Sequence, residues 1–261
     1  MRSMDIAATG MLAQQLNVEV ISNNIANLNT TGFKRQRAEF QDLLYQNQRR
    51  VGSQSSDQGT IVPVGVQIGI GVKAAAVYRI TEQGNLLKTD NPIDCAIQGK
   101  GFFQIKMPDG STAYTRSGSF QLSPTGEIVT ADGLVVSPGL TLPADTVTVT
   151  INGSGQVLAQ ISGQTAQQTV GQIELANFPN EAGLQNIGGN LLTETAASGS
   201  PVTGLPATVG FGSLQQGFLE TSNVNVVSEI TNLITAQRAY EMNSKVIQVS
   251  DQMSSSLNNF R

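Results

Sequence analysis

The chain has 261 residues, 15 basic against 19 acidic side chains, a formal net charge of −4, no histidine, no tryptophan and one cysteine, Cys95. Without histidine there is no Ser-His-Asp or Cys-His nucleophile system and no imidazole metal site, and one thiol makes neither an internal disulfide nor a zinc cluster. Charged residues are 13% of the chain, about half the usual share, so Gln, Asn, Ser and Thr carry much of the surface polarity.

Residues 4–28 carry a seven-residue apolar repeat: Met4, Met11, Val18 and Ile25, interleaved with Ala7, Gln14, Ile21 and Leu28. Spacing of three and four predicts a helix with a coiled-coil seam, and Leu12 and Leu16 widen its stripe toward further neighbours. The apolar run Ile6-Ala7-Ala8 is too short for the core of a cleaved signal peptide. Asn23, Asn24, Asn27 and Asn29 are expected to end the helix, Gly32 to allow a left-handed turn, and Phe33 to pack back as an anchor. On this reading Gly32→Val blocks assembly and leaves the β region untouched.

From Arg49 to Gly71 the chain is rich in Gly, Gln and Ser, yet Val62, Val64, Val66, Ile68, Ile70 and Val72 alternate, which predicts an ordered extended connector over 46–73. Period-two patterns follow at Ala74–Ile80, Phe102–Met107, Glu127–Val129 and Thr146–Ile151. The turn signals Pro108-Asp109-Gly110, Pro124-Thr125-Gly126, Ala131-Asp132-Gly133 and Asn152-Gly153-Ser154 lie among them. They predict an antiparallel β-rich domain over 74–220. The last predicted element is a single helix from Thr221 to Arg261, free of Pro and Gly. Its apolar series runs Val226, Ile230, Leu233, Ile234, Ala239, Met242, Val246, Val249, Met253, Leu257 and Phe260, with Thr221, Ser222 and Asn223 as cap candidates.

The fold expected is therefore α+β. Long N- and C-terminal helices form a discontinuous coiled-coil-like domain (1–45 and 221–261), joined by the extended connector to the central β-rich domain.

No Lys or Arg occurs between Arg116 and Arg238, a stretch with eight acidic residues that include Glu220 and Glu229. The basic cluster Lys34, Arg35, Arg37, Arg49 and Arg50 lacks an aromatic stacking platform, so nucleic acid is not an expected partner. Asp90 and Asp94 flank Pro92 and read as a turn rather than an acid–base pair, and Gly99-Lys100-Gly101 lacks the rest of a phosphate loop. No catalytic residue, cofactor, metal or small-molecule substrate is expected.

Two stretches carry a resemblance. Ser22-Asn23-Asn24-Ile25-Ala26-Asn27-Leu28-Asn29-Thr30-Thr31-Gly32-Phe33-Lys34 is one; Gly217-Phe218-Leu219-Glu220-Thr221-Ser222-Asn223-Val224-Asn225-Val226, continuing to Ala236-Gln237-Arg238-Ala239-Tyr240-Glu241, is the other. Together they resemble the terminal signatures of the flagellar rod and hook family, the axial proteins of the bacterial flagellum. Asn91–Phe103, Pro108–Phe120 and the chain length are similar to the distal-rod branch of that family, with Cys95 where a small apolar residue is expected.

The resemblance implies a structural subunit without catalytic activity, polymerising helically with its termini inward and its β domain outward, to transmit torque from motor to hook. It implies as partners further copies of the chain, the proximal rod proteins, the hook protein or hook-side junction, the P- and L-ring bushing and the flagellar type III export apparatus. It also implies a basal-body location crossing the periplasm, reached without a cleaved signal peptide. Subunit contacts are expected from Met4, Met11, Val18, Ile21, Asn24, Ile25, Asn27, Gly32, Phe33, Asn223, Ile230, Leu233, Tyr240, Val246, Val249 and Met253. Another axial subunit, proximal rod or hook, is the alternative.

Overall fold

The computed structural model describes residues 2–49, 64–163 and 166–259. The chain divides into two compact units: Met1–Ile25, Gln36–Tyr78 and Asn225–Arg261 form the first, Ala26–Arg35 and Arg79–Val224 the second.

The first unit holds the two α-helices, α1 (Arg2–Ala26) and α2 (Val226–Asn259), and the strands β1 (Gln36–Asp42), β2 (Tyr45–Arg49), β3 (Val66–Gly69) and β4 (Val72–Arg79). Strand β1 pairs with β4, and β2 pairs antiparallel with β3 in the register Tyr45↔Gly69 and Gln46↔Ile68. Of the predicted connector, residues 50–63 lie outside the described residues; Val66–Gly69 is extended, with Val66 and Ile68 exposed.

Helix α2 starts later than Thr221, because the capping side chain is Asn225. Its Oδ1 accepts from the Ser228 N–H at 3.2 Å and its carbonyl from the Glu229 N–H at 3.0 Å. An N-cap of this kind is worth about 1 kcal/mol. Asn225→Ala is therefore expected to speed hydrogen exchange of the first-turn amides about fivefold, and unchanged exchange would show the cap to be idle. Two of the earlier candidates do other work: Asn223 bridges Arg35 to Ile80 and Glu82, and Ser222 Oγ accepts from the Val224 N–H.

The expectation of a coiled-coil pair is overturned. Within the first unit α1 and α2 run antiparallel and meet through small and polar groups. Ser250 Oγ donates to Ser3 Oγ at 3.0 Å, and Asn24 Nδ2 to Glu229 Oε2 at 3.2 Å. A Cβ built on Gly10 would lie 2.9 Å from Asn243 Nδ2. Seven residues forward on α1, from Ser3 to Gly10, correspond to seven back on α2, from Ser250 to Asn243, so one register holds along the pair. Among the described positions assigned to an apolar seam, only Ala7 and Ile21 of α1 are fully buried. Ile230, Val246, Val249 and Met253 are exposed, and Met4, Met11, Val18 and Ile25 are half-buried. The side chain of Leu257 and the whole of Phe260 lie outside the described residues.

The second unit is antiparallel β throughout. Its strands are β5 (Leu86–Lys88), β6 (Cys95–Gln98), β7 (Phe102–Lys106), β8 (Thr112–Thr115), β9 (Phe120–Leu122), β10 (Ile128–Thr130), β11 (Val135–Val136) and β12 (Thr146–Ile151). After them come β13 (Gln156–Ile161), β14 (Gln167–Gln172), β15 (Leu175–Asn177), β16 (Gln185–Gly188), β17 (Leu191–Thr193), β18 (Val202–Gly204), β19 (Ser213–Gln216) and β20 (Phe218–Glu220). The main sheet has the order β16-β17-β8-β7-β11-β10-β9, with β15 also on β7 and β18 on β15; β12-β13-β14 form a second sheet, and β19–β6 and β20–β5 are separate pairs.

Strand β7 shows how the alternation becomes a core. Phe103 and Ile105 point into a cluster with Cys95, Ile97, Phe120, Ile128 and Leu175. Phe102, one residue out of phase, joins Tyr114, Ala176, Phe178 and Leu184 on the other face. Edge-on ring contacts bind each side: Phe103 to Phe120 with centroids 5.0 Å apart, Tyr114 to Phe178 at 4.8 Å. Cys95 is fully buried, and burial pushes its thiol up to about 12, so it occupies the place of a small apolar residue. The Asp90–Asp94 region is a turn: Asp94 is buried and accepts from Thr89 Oγ1 and Asn91 Nδ2, each at 2.8 Å.

Candidate functional site

Two arrangements use the residues that carry the resemblance, one in each unit.

In the first unit, α2 has two distinct faces. Its covered face carries Glu229, Leu233, Ala236, Asn243, Ile247 and Ser250. The roughly opposite face, at about 100° per residue, carries Val227, Ile230, Ile234, Met242, Val249 and Met253, all exposed, with Met242 at 63%. Val246 is exposed beside that stripe, Tyr240 is exposed on the side of the covered face, and Leu12 is 67% exposed on α1. A sustained apolar stripe left open on a long helix is the kind of surface that a protein partner can cover. Of the other expected contact residues, Leu233 is half-buried and Ile21 is buried.

Asn24 corrects the reading of the asparagine run. It does not end α1 but is a buried joint: Oδ1 accepts from the Gln36 N–H at 2.9 Å, and Nδ2 donates to the Gln36 carbonyl at 2.8 Å as well as to Glu229. The side-chain amide thus pairs with a backbone residue as a strand neighbour would, fixing the start of β1 to the end of α1.

In the second unit, the segment 26–35 is tied to the β body by polar contacts. Among the described residues it is half-buried or exposed throughout, Phe33 included, with no fully buried side chain. Asn27 Oδ1 accepts from Thr30 Oγ1 at 3.1 Å. Gly32 has φ +69 and its N–H donates to the Glu220 carbonyl at 2.8 Å. The Arg35 N–H donates to Asn223 Oδ1 at 2.7 Å, while Asn223 Nδ2 donates to the carbonyls of Ile80 and Glu82.

At the centre lies Glu220, whose side chain is fully buried. Its Oε1 accepts from Lys34 Nζ at 2.6 Å and the Gly84 N–H at 2.8 Å; its Oε2 accepts from Arg116 Nε at 2.5 Å. Arg116 spends its other N–H groups on the carbonyls of Gly101, Ile97 and Gly99. Burial raises the tendency of the Glu220 carboxyl to hold a proton, but Arg116 and Lys34 outweigh it and keep the group below its ordinary range. Lys34 is shifted down from its usual value, first by burial and also by Arg116, against the attraction of Glu220.

Lys34, Arg116, Glu220 and Glu229 were missed as candidates, since charged residues are ordinarily solvated. The signal that could have found them was their place inside or beside stretches singled out on other grounds. Glu220 and Glu229 are also withdrawn from any acidic outer surface by their burial.

Comparison with known proteins matches these same segments. The family described as flagella basal body rod protein matches residues 4–34, the flagellar hook protein FlgE/F/G D1 domain matches 96–159, and the flagellar basal body rod FlgEFG protein C-terminal family matches 215–260. The flagellar basal-body rod protein FlgG of Caulobacter vibrioides is 62% identical over 253 residues, 97% of either chain. Its namesake from Agrobacterium fabrum is 53% identical over 98% of this chain and 97% of that one. That of Bacillus subtilis is 38% identical over 100% of this chain and 99% of its own. The chain belongs to the flagellar basal-body rod protein family, as a structural subunit of the distal rod.

Proposed function

We propose that this chain is the repeating element of a drive shaft, polymerising helically into a straight tube that carries torque from motor to hook. The exposed apolar stripe of α2, on the face away from α1, is the observation that carries this reading: the polar pairing with α1 does not cover it. In the polymer, α1 and α2 pack inward against copies of themselves, through Met4, Met11, Val18, Ile21, Ile25, Ile230, Leu233, Tyr240, Val246, Val249 and Met253. Asn24, Asn27, Gly32, Phe33 and Asn223 act at the junctions that aim those helices.

The division into terminal helical segments (1–45 and 221–261), connector (46–73) and β-rich domain (74–220) then corresponds to an inner layer, a stiffening layer and an outer tube. The neighbours on this reading are the proximal rod proteins, the hook protein or hook-side junction and the P- and L-ring bushing. Delivery is by the flagellar type III apparatus without a cleaved signal peptide, to a rod crossing the periplasm, and no catalysis or cofactor is involved. Electron microscopy of polymer grown from the purified chain tests this. Straight filaments are expected; curved ones would point to a hook subunit, and a chain that stays monomeric at high concentration would overturn the reading.

A further inference from the structure

We propose that Lys34, Glu220 and Arg116 form an electrostatic latch that holds the 26–35 segment on the β body and releases that segment, not the body, when the Glu220 charge is lost. All three residues lie in the second unit, far apart in sequence. One carboxylate is shared between two cations, each on its own oxygen, at 2.6 and 2.5 Å. The buried cluster is therefore net positive, and removing its single anion leaves two cations facing one another in a place that solvates neither.

What happens next depends on how each cation is held, and the two differ. Arg116 keeps three carbonyl acceptors, on Gly101, Ile97 and Gly99, whatever happens to Glu220. Its anchorage is in the β body, beside strands whose Ile97, Phe103 and Ala113 are fully buried. Lys34 retains only the Glu82 carbonyl, at 2.8 Å, and sits on a segment with no buried apolar anchor. Other ties of that segment include the close approach of Gly32 to the Arg116–Ser117 backbone and hydrogen bonds from Gly32 to the Glu220 carbonyl, from Arg35 to Asn223, from the Ile80 N–H to the Arg35 carbonyl, and from Asn190 to the Thr31 carbonyl at 3.4 Å. Charge repulsion therefore acts on one firmly held partner and one loosely held partner, and the loose one moves.

No charged side chain other than Lys34 and Arg116 bonds to Glu220 among the described residues; Glu181 acts on Lys34 only at longer range. The latch is thus a three-body device, and its logic can be read by restoring charge balance instead of geometry. Glu220→Gln keeps the shape and removes the anion. Lys34→Met in that background removes the loosely held cation.

Hydrogen exchange on the full-length monomer is the measurement, comparing the amides of Gly32 and Arg35 with those of β7 and β8. Glu220→Gln is expected to speed exchange of Gly32 and Arg35 by about 100-fold or more, with β7 and β8 within about threefold of the parent. The double variant Lys34→Met/Glu220→Gln is expected to recover at least about tenfold of that loss. Unchanged exchange in Glu220→Gln, or an equal loss in β7 and β8, would overturn the latch. If the single variant does not fold, the double must fold with Gly32 and Arg35 protected; a double variant as open as the single one overturns the proposal.

Discussion

Ile234→Glu together with Val246→Glu is expected to abolish polymerisation while leaving the monomer's thermal unfolding within about 4 °C of the parent. Both side chains are 46% exposed in the chain, and surface substitutions of this kind change stability by about 0.5 kcal/mol or less. In a polymer the same positions are covered by neighbouring copies, and an unpaired carboxylate removed from water costs several kcal/mol, roughly 1.4 kcal/mol being tenfold in an equilibrium constant. The penalty recurs at every subunit added, so elongation stops and is not merely slowed. Sedimentation and light scattering across a concentration series read the effect. Polymer formed by the double variant at the parent's critical concentration would remove the α2 stripe from the subunit interface.

Gly32→Ala is expected to weaken the hold of the 26–35 segment on the β body by about 3 kcal/mol or more. Two contributions combine. A residue with a Cβ at φ +69 carries roughly 1–2 kcal/mol of left-handed strain. In addition, that Cβ would stand 2.8 Å from the Ser117 nitrogen and 2.9 Å from the Arg116 carbonyl carbon, both backbone atoms with little room to yield. Gly110→Ala separates the two, because Gly110 has φ +85 with nothing within 4 Å of its Cβ position. It should cost about 1 kcal/mol, the strain alone. Hydrogen exchange of the amides flanking each glycine decides the matter; equal losses would mean that Gly32 is a turn residue and nothing more. Gly32 and Arg116 lie 84 residues apart in sequence yet meet in the fold, so the cost of a β-branched residue at Gly32 falls on this contact as well as on assembly.

The periodic elements were legible in the sequence because each has a repeating cause. Alternation at Phe102–Met107 marked a strand shared between two cores, and the absence of Pro and Gly after Thr221 marked one long helix. The helix–helix contact was not legible, because a search for apolar heptads passes over Gly10, Asn24, Asn243 and Ser250, the residues that make it. Those apolar heptads are divided between faces: Ala7 and Ile21 of α1 are buried, while Ile230, Val246, Val249 and Met253 of α2 are exposed. The cap of α2 was misplaced by a few residues among Thr221, Ser222, Asn223 and Asn225, all of them competent cap formers. The buried ion cluster was invisible for a different reason. Lys34, Arg116 and Glu220 share no local pattern; the pairing of β20 with β5, the turn at Gly32 and the carbonyls of Ile97, Gly99 and Gly101 that hold Arg116 bring them together.

The single sulfhydryl has a practical consequence. Cys95 is fully buried, and burial pushes its thiol well above the usual thiol range, which disfavours the thiolate that alkylating and disulfide-exchange reagents require. The chain is thus a ready-made cysteine-free background for surface chemistry. A cysteine placed at Ile230 or Val249 becomes the one addressable thiol per subunit. Bridges formed between such sites in an assembled shaft would then report which helices face one another across neighbouring copies, without any prior removal of Cys95 from the core.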